Sequence, residues 1–364
     1  MQATAELRIS ACRPLPPPAQ LLASLPKTPA QAELVRRSRT TVHGILTGED
    51  PRLLVVVGPC SIHDLEAGRE YGRRLAALAR ELDDRLVIVL RAYFEKPRTG
   101  CGWQGLILDP DLDGTGDIAK GLRLARGFLR EMLDLGLPTA TEFLDPLSPQ
   151  YLADLVCWTA IGARTSESQM HRQMASGLSM PLGFKNGTDG EVHGAVHGIK
   201  AAGKGQSFLG ISADGRAAAV RTQGNPDCHI VLRGGASGPN YSAADLAEVE
   251  SRLEAAGVSR AIVVDCSHDN SGRRPERQPG ILEEVIGQAL SGNHSIVGVM
   301  LESNLCGGSQ ALAPGKLRYG VSITDGCLGW QDTEACLRGA HAALAPRFEA
   351  AIPHEPAGCC IGRQ

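Results

Sequence analysis

The sequence predicts an α/β fold, a (β/α)8 TIM barrel with an N-terminal extension and an inserted β-hairpin before the sixth barrel strand. Eight short apolar or β-branched segments occur between residues 53 and 301. Amphipathic stretches separate most of them, which is typical of a parallel sheet buried on both faces. Reactive side chains directly follow several of these segments, as expected where an active site forms at the carboxyl ends of barrel strands.

The first 50 residues differ in pattern from the rest of the chain. Thr28 followed by Pro29 is typical of a helix N-cap with proline in the first turn. An apolar stripe at helical spacing predicts a helix over residues 29–46, which indicates an arm that docks on another surface. The predicted divisions are a regulatory or oligomerisation arm, a catalytic barrel and a C-terminal tail, at residues 1–50, 51–345 and 346–364.

The elements of the barrel follow in order along the chain. The strand candidates are short and rich in apolar or β-branched residues, at 53–57, 86–90, 138–143, 156–162, 180–184, 228–232, 260–265 and 295–301. The helix candidates lie between most of these strands and after the last one, at 64–82, 117–135, 148–155, 167–177, 189–202, 242–256, 280–290 and 331–345. This alternation predicts the repeated strand–helix unit of the barrel.

Two stretches interrupt the alternation. Residues 92–116 form a long loop, rich in glycine and aspartate, after the second strand. Residues 207–227 contain two short apolar runs, and Asp214-Gly215 joins them, which is a strong signal for a β-hairpin. We therefore expect a hairpin inserted before the sixth barrel strand.

Composition argues against several classes of protein. The net charge of −3 argues against general binding to nucleic acid. No apolar run approaches the roughly 18 residues of a membrane span, and residues 1–18 lack the pattern of an export signal. The 11 cysteines are irregularly spaced and include no CxxC pair. These features predict reduced thiols in a cytoplasmic protein.

Four residues that can bind a divalent metal lie far apart, each beyond a predicted strand: Cys60, His268, Glu302 and Asp325. One thiolate, one imidazole and two carboxylates suit Mn²⁺, Fe²⁺, Co²⁺ or Zn²⁺ better than Mg²⁺ or Ca²⁺. Each of these residues alone is more often a packed or hydrogen-bonded side chain, but their shared placement favours one site. His63 and Cys266 are alternative ligands that spacing does not exclude.

Basic residues occupy similar positions after strands, and further ones lie in the loop YFEKPRTG; they are Arg91, Arg164, Lys185, Arg233, Lys96 and Arg98. Burying so much positive charge is costly unless anions neutralise it. We therefore expect substrates that carry phosphate and carboxylate groups, which arginine binds with two parallel hydrogen bonds. Ordinary surface salt bridges are the alternative.

Longer motifs resemble those of the class I, alpha-type 3-deoxy-D-arabino-heptulosonate-7-phosphate (DAHP) synthases. The resemblance runs from about residue 13 to about residue 345 and includes LLVVVGPCSIHD, RAYFEKPRTGCGWQGL, WTAIGARTSESQ, QGNPDCHIVLRGG, VVDCSHDNS and YGVSITDGCLGW. It implies a metal-dependent transferase that condenses phosphoenolpyruvate, D-erythrose 4-phosphate and water into DAHP and phosphate. That reaction opens the shikimate pathway to chorismate and the aromatic amino acids.

The resemblance implies functional residues in this chain. The implied metal ligands are Cys60, His268, Glu302 and Asp325. The implied phosphoenolpyruvate ligands are Arg91, Lys96, Arg164, Lys185 and Arg233. The implied erythrose 4-phosphate contacts are Lys96, Pro97, Arg98 and Thr99. The implied catalytic residues are Lys96 as a proton donor, Cys60, His268, and Glu142 near the attacking water.

The resemblance also implies feedback by an aromatic amino acid and assembly into a homodimer or homotetramer. The matching effector positions are Gln150, Ser179, Phe208 and Gly210. Relatives that sense phenylalanine carry serine at the position of Gly210, whereas glycine leaves room for a phenol hydroxyl. Tyrosine is therefore the predicted effector and tryptophan the second choice, although Gly210 alternatively serves only the hairpin.

The chain departs from the family pattern at a few positions. Gln104 stands where the family usually has lysine, so one basic group near the predicted site is missing. Gly100-Cys101 and Ser309 also differ from the usual residues. Two alternative functions remain open at this point: a 3-deoxy-D-manno-octulosonate 8-phosphate synthase, and a catalytically silent relative that binds an aromatic amino acid.

Overall fold

The computed structural model describes residues 5–98, 100 and 102–349. Eight parallel strands close into a barrel in the order β1-β2-β3-β4-β5-β8-β9-β10, and β10 pairs with β1. The barrel strands are β1 Leu53–Gly58, β2 Leu86–Arg91, β3 Thr139–Glu142, β4 Trp158–Ile161, β5 Leu182–Lys185, β8 Cys228–Leu232, β9 Ile262–Asp265 and β10 Ile296–Glu302. The predicted TIM barrel is therefore confirmed.

Helices surround the barrel and precede it. They are α1 Pro18–Ser24, α2 Pro29–Thr47, α3 Leu65–Glu81, α4 Ile118–Asp134, α5 Pro149–Leu152, α6 Gln169–Ala175, α7 His193–Ala202, α8 Ala243–Ala256, α9 Gln278–Leu290, α10 Trp330–Ala343 and α11 Ala345–Glu349. Short 3-10 helices occupy Ala153–Leu155 and Pro275–Arg277. No helix in these described parts is both long and apolar enough to cross a lipid bilayer.

Most predicted elements agree with the structure to within a few residues at each end. The helix predicted over 148–155 is divided, because α5 passes into the 3-10 turn before β4. Helix α1 was not predicted, because it begins in the proline-rich start of the chain. Pro18 occupies its first turn, where a backbone N–H has no partner within the helix, so proline is tolerated there. Of residues 92–116, those that the structure describes (all but 99 and 101) form no helix or strand, as expected.

Helix α2 closes the amino-terminal end of the barrel. Thr28 and Gln31 form a capping box that begins the helix. Val42 and Ile45 pack into the cluster of apolar side chains that fills the barrel interior, and the guanidinium of Arg39 donates to the main-chain oxygen of Val156. The surface on which this predicted arm helix docks is thus the barrel itself.

The inserted hairpin consists of β6 Ser207–Ile211 and β7 Ala217–Arg221, paired antiparallel. Its turn lies against the start of α1, because the amide of Ala19 donates to Ala213 oxygen at 2.9 Å. The division into arm, barrel and tail remains a proposal, and residues 350–364 of the tail lie outside the described residues.

Alternate side chains of the barrel strands face the interior. Leu54 and Val56 of β1 share one interior cluster with Val87 and Val89 of β2, whereas Val55 packs outward in the core beneath the helices. This two-residue period sets which side chains reach the carboxyl end of the barrel.

Candidate active site

The inward period continues to the carboxyl ends of the strands, where charged side chains replace apolar ones. Each charged residue lies two positions beyond an inward-facing residue of its strand, so all of them face the interior and form one layer. The members of this charged layer are Arg91, Glu142, Lys185, Arg233, Asp265 and Glu302. All six are buried. A TIM barrel carries its active site at this end, so the layer is the structural basis of the candidate site.

Three of the four predicted metal ligands lie together, and one of them, Glu302, belongs to this layer. Cys60, Glu302 and Asp325 each place one ligand atom within 4.8 Å of the others. Within the described residues, Glu302 Oε1 is buried and accepts no hydrogen bond, although it forms an ion pair with Arg91 Nη2 at 2.9 Å. A buried carboxylate oxygen in that condition can take a further cation, and a thiol with two carboxylates is a donor set that fits a divalent metal.

His268, the fourth predicted ligand, lies beside these three residues. Its Nε2 is 3.8 Å from Glu302 Oε1. The Ser267 hydroxyl donates its single proton to Asp265 Oδ1 at 2.5 Å, so it must accept a hydrogen bond from His268 Nδ1 at 2.7 Å. Nδ1 therefore carries the proton, and in the neutral ring Nε2 has a free lone pair on the side of Glu302.

The backbone of His268 is strained, since its φ of +50° lies in the left-handed region. Such conformations persist where the surroundings hold them, and they are concentrated at functional sites. The two alternative ligands are elsewhere: the ring of His63 meets Trp103 edge-on, and Cys266 packs in the core beneath the helices. Neither belongs to the group of Cys60.

Arg91 is the most enclosed of the cations. Its Nη1 donates to the main-chain oxygens of Pro59 and Cys60 at 2.6 and 2.8 Å, and its guanidinium stacks 3.7 Å from the ring centre of Tyr93. Burial alone would lower the pKa of Arg91, but the charges of Glu302, Tyr93, Cys60 and Asp265 together outweigh it and hold the pKa above its usual value. Arg91 thus ties the loop of Cys60 to the barrel wall.

Lys96 points at the predicted metal ligands from the loop after β2. Its Nζ donates to Cys60 Sγ at 3.1 Å and to Cys60 O at 3.2 Å. Burial raises the pKa of the Cys60 thiol and Glu302 raises it further, while Lys96 and Arg91 act in the opposite direction. Lys96 therefore places a proton donor within reach of whatever binds at Cys60.

Lys185 lies between two carboxylates. Its Nζ is 3.7 Å from Glu142 Oε2 and 3.6 Å from Asp265 Oδ2. Gly162 gives Glu142 its space, because a Cβ at Gly162 would lie 2.3 Å from Glu142 Oε1. Burial would raise the pKa of Asp265, but His268 and Lys185 outweigh it, so this pKa lies far below the usual range and Asp265 is ionised.

The remaining predicted contacts are Arg233, in the charged layer, and residues of two loops. Arg233 is buried and its Nη1 pairs with Asp269 Oδ2. Arg164 and Arg98 are exposed and Pro97 is half-buried, in the turn after β4 and the loop after β2. Thr99 lies outside the described residues. Substrate anions are the predicted partners of the buried cations, but carboxylates of the protein already neutralise part of this charge.

Two residues of the site were missed at the level of sequence. The first is Asp265, the last residue of the seventh strand candidate. Its position two residues beyond Val263 could have indicated that its side chain also faces the barrel interior. The ring of Tyr93 lies 5.9 Å from Lys96 Nζ and 5.6 Å from Lys185 Nζ. Its buried hydroxyl makes no hydrogen bond within the described residues. Nothing in the spacing indicated that one ring would face several cations.

The predicted effector positions lie at a second cavity, beside the hairpin. Gln150, Ser179 and Phe208 line this cavity, whose volume is about 480 Å³. Gly210 lies behind its wall, because a Cβ at Gly210 would be 2.8 Å from Cγ2 of Val220, which lines the cavity. The cavity also contains Arg221, so it offers a cation for a carboxylate.

Glu95 joins the loop after β2 to the loop after β3. Its carboxylate accepts hydrogen bonds from the Ser148 hydroxyl at 2.8 Å and the Asp145 amide at 3.0 Å. Burial raises the pKa of Glu95 to about 7, although these hydrogen bonds oppose the rise. Its ionisation therefore opposes folding at neutral pH.

Glu95→Gln is expected to remove part of the pH dependence of stability. A raised carboxyl pKa confers stability below the unfolded value near 4.5, and this stability is lost as the pH rises through about 7. Between pH 5 and pH 8, the free energy of unfolding of the variant should rise relative to that of the wild type by up to about 3 kcal/mol. Denaturant unfolding across this range measures it, with the exposed Glu276→Gln as control. If the free energy of unfolding changed with pH in the same way in the wild type and in Glu95→Gln, the raised pKa would not belong to Glu95.

Comparison with known proteins agrees with this geometry. Residues 27–338 match the model of the DAHP synthetase I family. The chain is 51% identical over 337 residues to the Tyr-sensitive phospho-2-dehydro-3-deoxyheptonate aldolase of Escherichia coli, covering 92% of this chain and 94% of the relative. It is 52% identical over 334 residues to the Phe-sensitive enzyme of that organism, covering 92% and 95%.

A solved structure supports the same relationship. The phospho-2-dehydro-3-deoxyheptonate aldolase from Francisella tularensis SCHU S4 superposes with a TM-score of 0.91 at 43% identity, covering 93% of this chain and 99% of that one. The matched region contains the barrel, the inserted hairpin and the residues at the carboxyl ends of the strands. The chain therefore belongs to the DAHP synthetase I family.

Proposed function

We propose that this protein is a metal-dependent DAHP synthase, which condenses phosphoenolpyruvate with D-erythrose 4-phosphate and water and releases phosphate. The observation that carries this proposal is the group of Cys60, Glu302 and Asp325 beside the buried cations Arg91 and Lys96. Membership of the DAHP synthetase I family supports this reaction, and a metal-binding group beside buried cations is suited to anionic substrates that carry a carbonyl.

The cations bind and orient the substrates. Arg91, Lys185 and Arg233 surround the carboxyl end of the barrel and bind the phosphate and carboxylate of phosphoenolpyruvate, together with Lys96 and Arg164. The loop of Lys96, Pro97, Arg98 and Thr99 binds erythrose 4-phosphate. Fixing both substrates in this way places the enol carbon against the aldehyde and replaces a collision between two molecules by a reaction within one complex.

The residues around the reacting atoms move protons. Cys60, His268, Glu302 and Asp325 would hold one divalent ion, of manganese, iron, cobalt or zinc, which supplies Lewis acidity toward a carbonyl oxygen when bound. As the new C–C bond forms, Lys96 donates a proton to the former aldehyde oxygen. Glu142, beside Lys185, orients the water that adds to the carbon from which phosphate then leaves.

Phosphate release from the two substrates tests the proposal. We expect release with phosphoenolpyruvate and erythrose 4-phosphate together, loss of release after chelation, and recovery when Mn²⁺ or Co²⁺ is added. Release with arabinose 5-phosphate in place of erythrose 4-phosphate would instead favour the octulosonate synthase. Absence of turnover with both sugars in the metal-loaded protein would favour the silent relative.

We propose that tyrosine inhibits this enzyme by binding in the cavity lined by Gln150, Ser179 and Phe208. One relative is named Tyr-sensitive and another Phe-sensitive at nearly equal identity, so overall similarity does not distinguish the effectors. The residue at position 210 supports tyrosine, because any side chain larger than glycine there would crowd Val220, which lines the cavity.

Gly210→Ser is expected to weaken inhibition by tyrosine about tenfold, since overpacking at the wall costs roughly 1–3 kcal/mol. The tyrosine concentration that gives half-inhibition measures the effect, with phenylalanine and tryptophan assayed in parallel. Ala219→Ser, on the exposed face of the same hairpin, is the control and should leave inhibition unchanged. Equal inhibition of wild type and Gly210→Ser would place the effector elsewhere.

We also propose that the protein forms a homodimer or homotetramer through the arm and the hairpin. Leu209 of the hairpin is 92% exposed and Leu7 of the arm 72% exposed. Exposed large apolar side chains on both the arm and the hairpin support this proposal.

A further inference from the structure

The backbone of Arg233 is fixed from two sides at the carboxyl end of β8. Its amide donates to Asn186 Oδ1 at 2.8 Å. Its carbonyl oxygen accepts from the amides of Asp269 and Asn270 at 3.1 and 3.2 Å. The loop after β9 is therefore docked on Arg233, and it brings the Asp269 side chain to the Arg233 guanidinium.

Asp269 holds one edge of that guanidinium. Arg233 Nη1 pairs with Asp269 Oδ2 and also donates to Gly234 O at 3.3 Å. In the part of the chain that the structure describes, Nε and Nη2 of Arg233 make no hydrogen bond. The other carboxylate oxygen of Asp269 lies 3.1 Å from Arg273 Nε, so Asp269 is itself held from the solvent side.

We propose that Asp269 is a positioning residue for Arg233, a role that rests on the proposed function. By holding Nη1 it fixes the plane of the guanidinium and presents the Nε–Nη2 edge to an anionic group of phosphoenolpyruvate. Two parallel donors bind a carboxylate or phosphate bidentately only when that plane is set. The pairing also compensates a side chain that is only 4% exposed.

Arg273 contributes less than Asp269 to holding the Arg233 guanidinium in place. Its side chain is 47% exposed, and it contacts Asp269 at 3.1 Å and Asp325 at 3.6 Å. Solvent screens exposed pairs strongly, so the order of importance is Asp269 first and Arg273 second.

Steady-state kinetics at saturating divalent metal tests the proposal. Asp269→Ala is expected to raise the KM for phosphoenolpyruvate about tenfold, the range seen when a residue that orients a ligand is lost, with kcat within about twofold of wild type. Asp269→Asn should recover part of the loss, because its amide oxygen still accepts from Nη1. Arg273→Ala should give a smaller rise, and Glu248→Ala, which breaks an exposed ion pair, none.

Calorimetric titration with phosphoenolpyruvate checks binding independently of turnover and should show the same order of affinities. An active Asp269→Ala enzyme with unchanged KM and affinity would overturn the proposal, as would a loss confined to kcat. Failure of wild-type enzyme to release phosphate would instead count against the proposed function.

Discussion

Cys60→Ala is expected to abolish metal-dependent turnover while the barrel remains folded. The Cys60 thiol lies within 4.8 Å of ligand atoms of Glu302 and Asp325 and is fully buried. Removing it leaves a site of carboxylates and one imidazole, which binds Mn²⁺, Co²⁺ or Zn²⁺ less tightly. We expect metal affinity to fall at least about 100-fold, beyond the effect of losing a residue that only orients a ligand.

Thermal and denaturant unfolding separate this loss from misfolding. Metal at 100 times its Kd stabilises the wild type by about 2.7 kcal/mol, and this increment should disappear in Cys60→Ala. Cys157→Ala is the matched control, because Cys157 is equally buried but lies outside the site. A Cys60→Ala protein that keeps both the increment and its turnover would remove Cys60 from the metal site.

The sequence predicted the barrel because its signals are local and repeated. Each strand is a short apolar run, and the next helix shows the 3.6-residue period. The same regularity explains why Arg91, Lys185 and Glu302 were placed at the carboxyl end, since they directly end apolar strands. The hairpin was equally accessible, because Asp214-Gly215 joins two apolar runs.

The parts that sequence did not predict depend on contacts between loops. Asp269 meets Arg233 in the loop after β9, where His268 adopts the left-handed conformation, and no sequence pattern encodes that turn. Tyr93 faces Lys96 and Lys185 through the shape of an irregular loop. Such pairings arise from tertiary packing, which local propensities do not determine.

Lys185→Met is expected to lose both activity and stability. Lys185 Nζ lies within 4 Å of Glu142 and Asp265, and its removal leaves two buried carboxylates without this cation. Breaking a buried ion pair on one side costs about 3–5 kcal/mol. Loss of a cation that we propose binds phosphoenolpyruvate should lower kcat by about 10²–10³-fold. The exposed Lys200→Met is the control and should change neither quantity.

The pH dependence of the Lys185→Met deficit identifies its cause. The depressed pKa of Asp265 contributes stability that is present above its unfolded value near 3.8 and is lost as the pH falls. Without Lys185 this contribution shrinks, so the difference in unfolding free energy from the wild type should narrow at acid pH.

A second substitution separates the two roles of Lys185. Lys185→Met combined with Asp265→Asn removes one of the unpaired charges and should recover part of the lost unfolding free energy. Turnover should stay as low as in Lys185→Met, because the proposed substrate cation is still missing and His268 has lost the carboxylate beside Nδ1. If the double variant regained turnover, Lys185 would be a counter-ion for the barrel interior and would have no direct part in binding phosphoenolpyruvate.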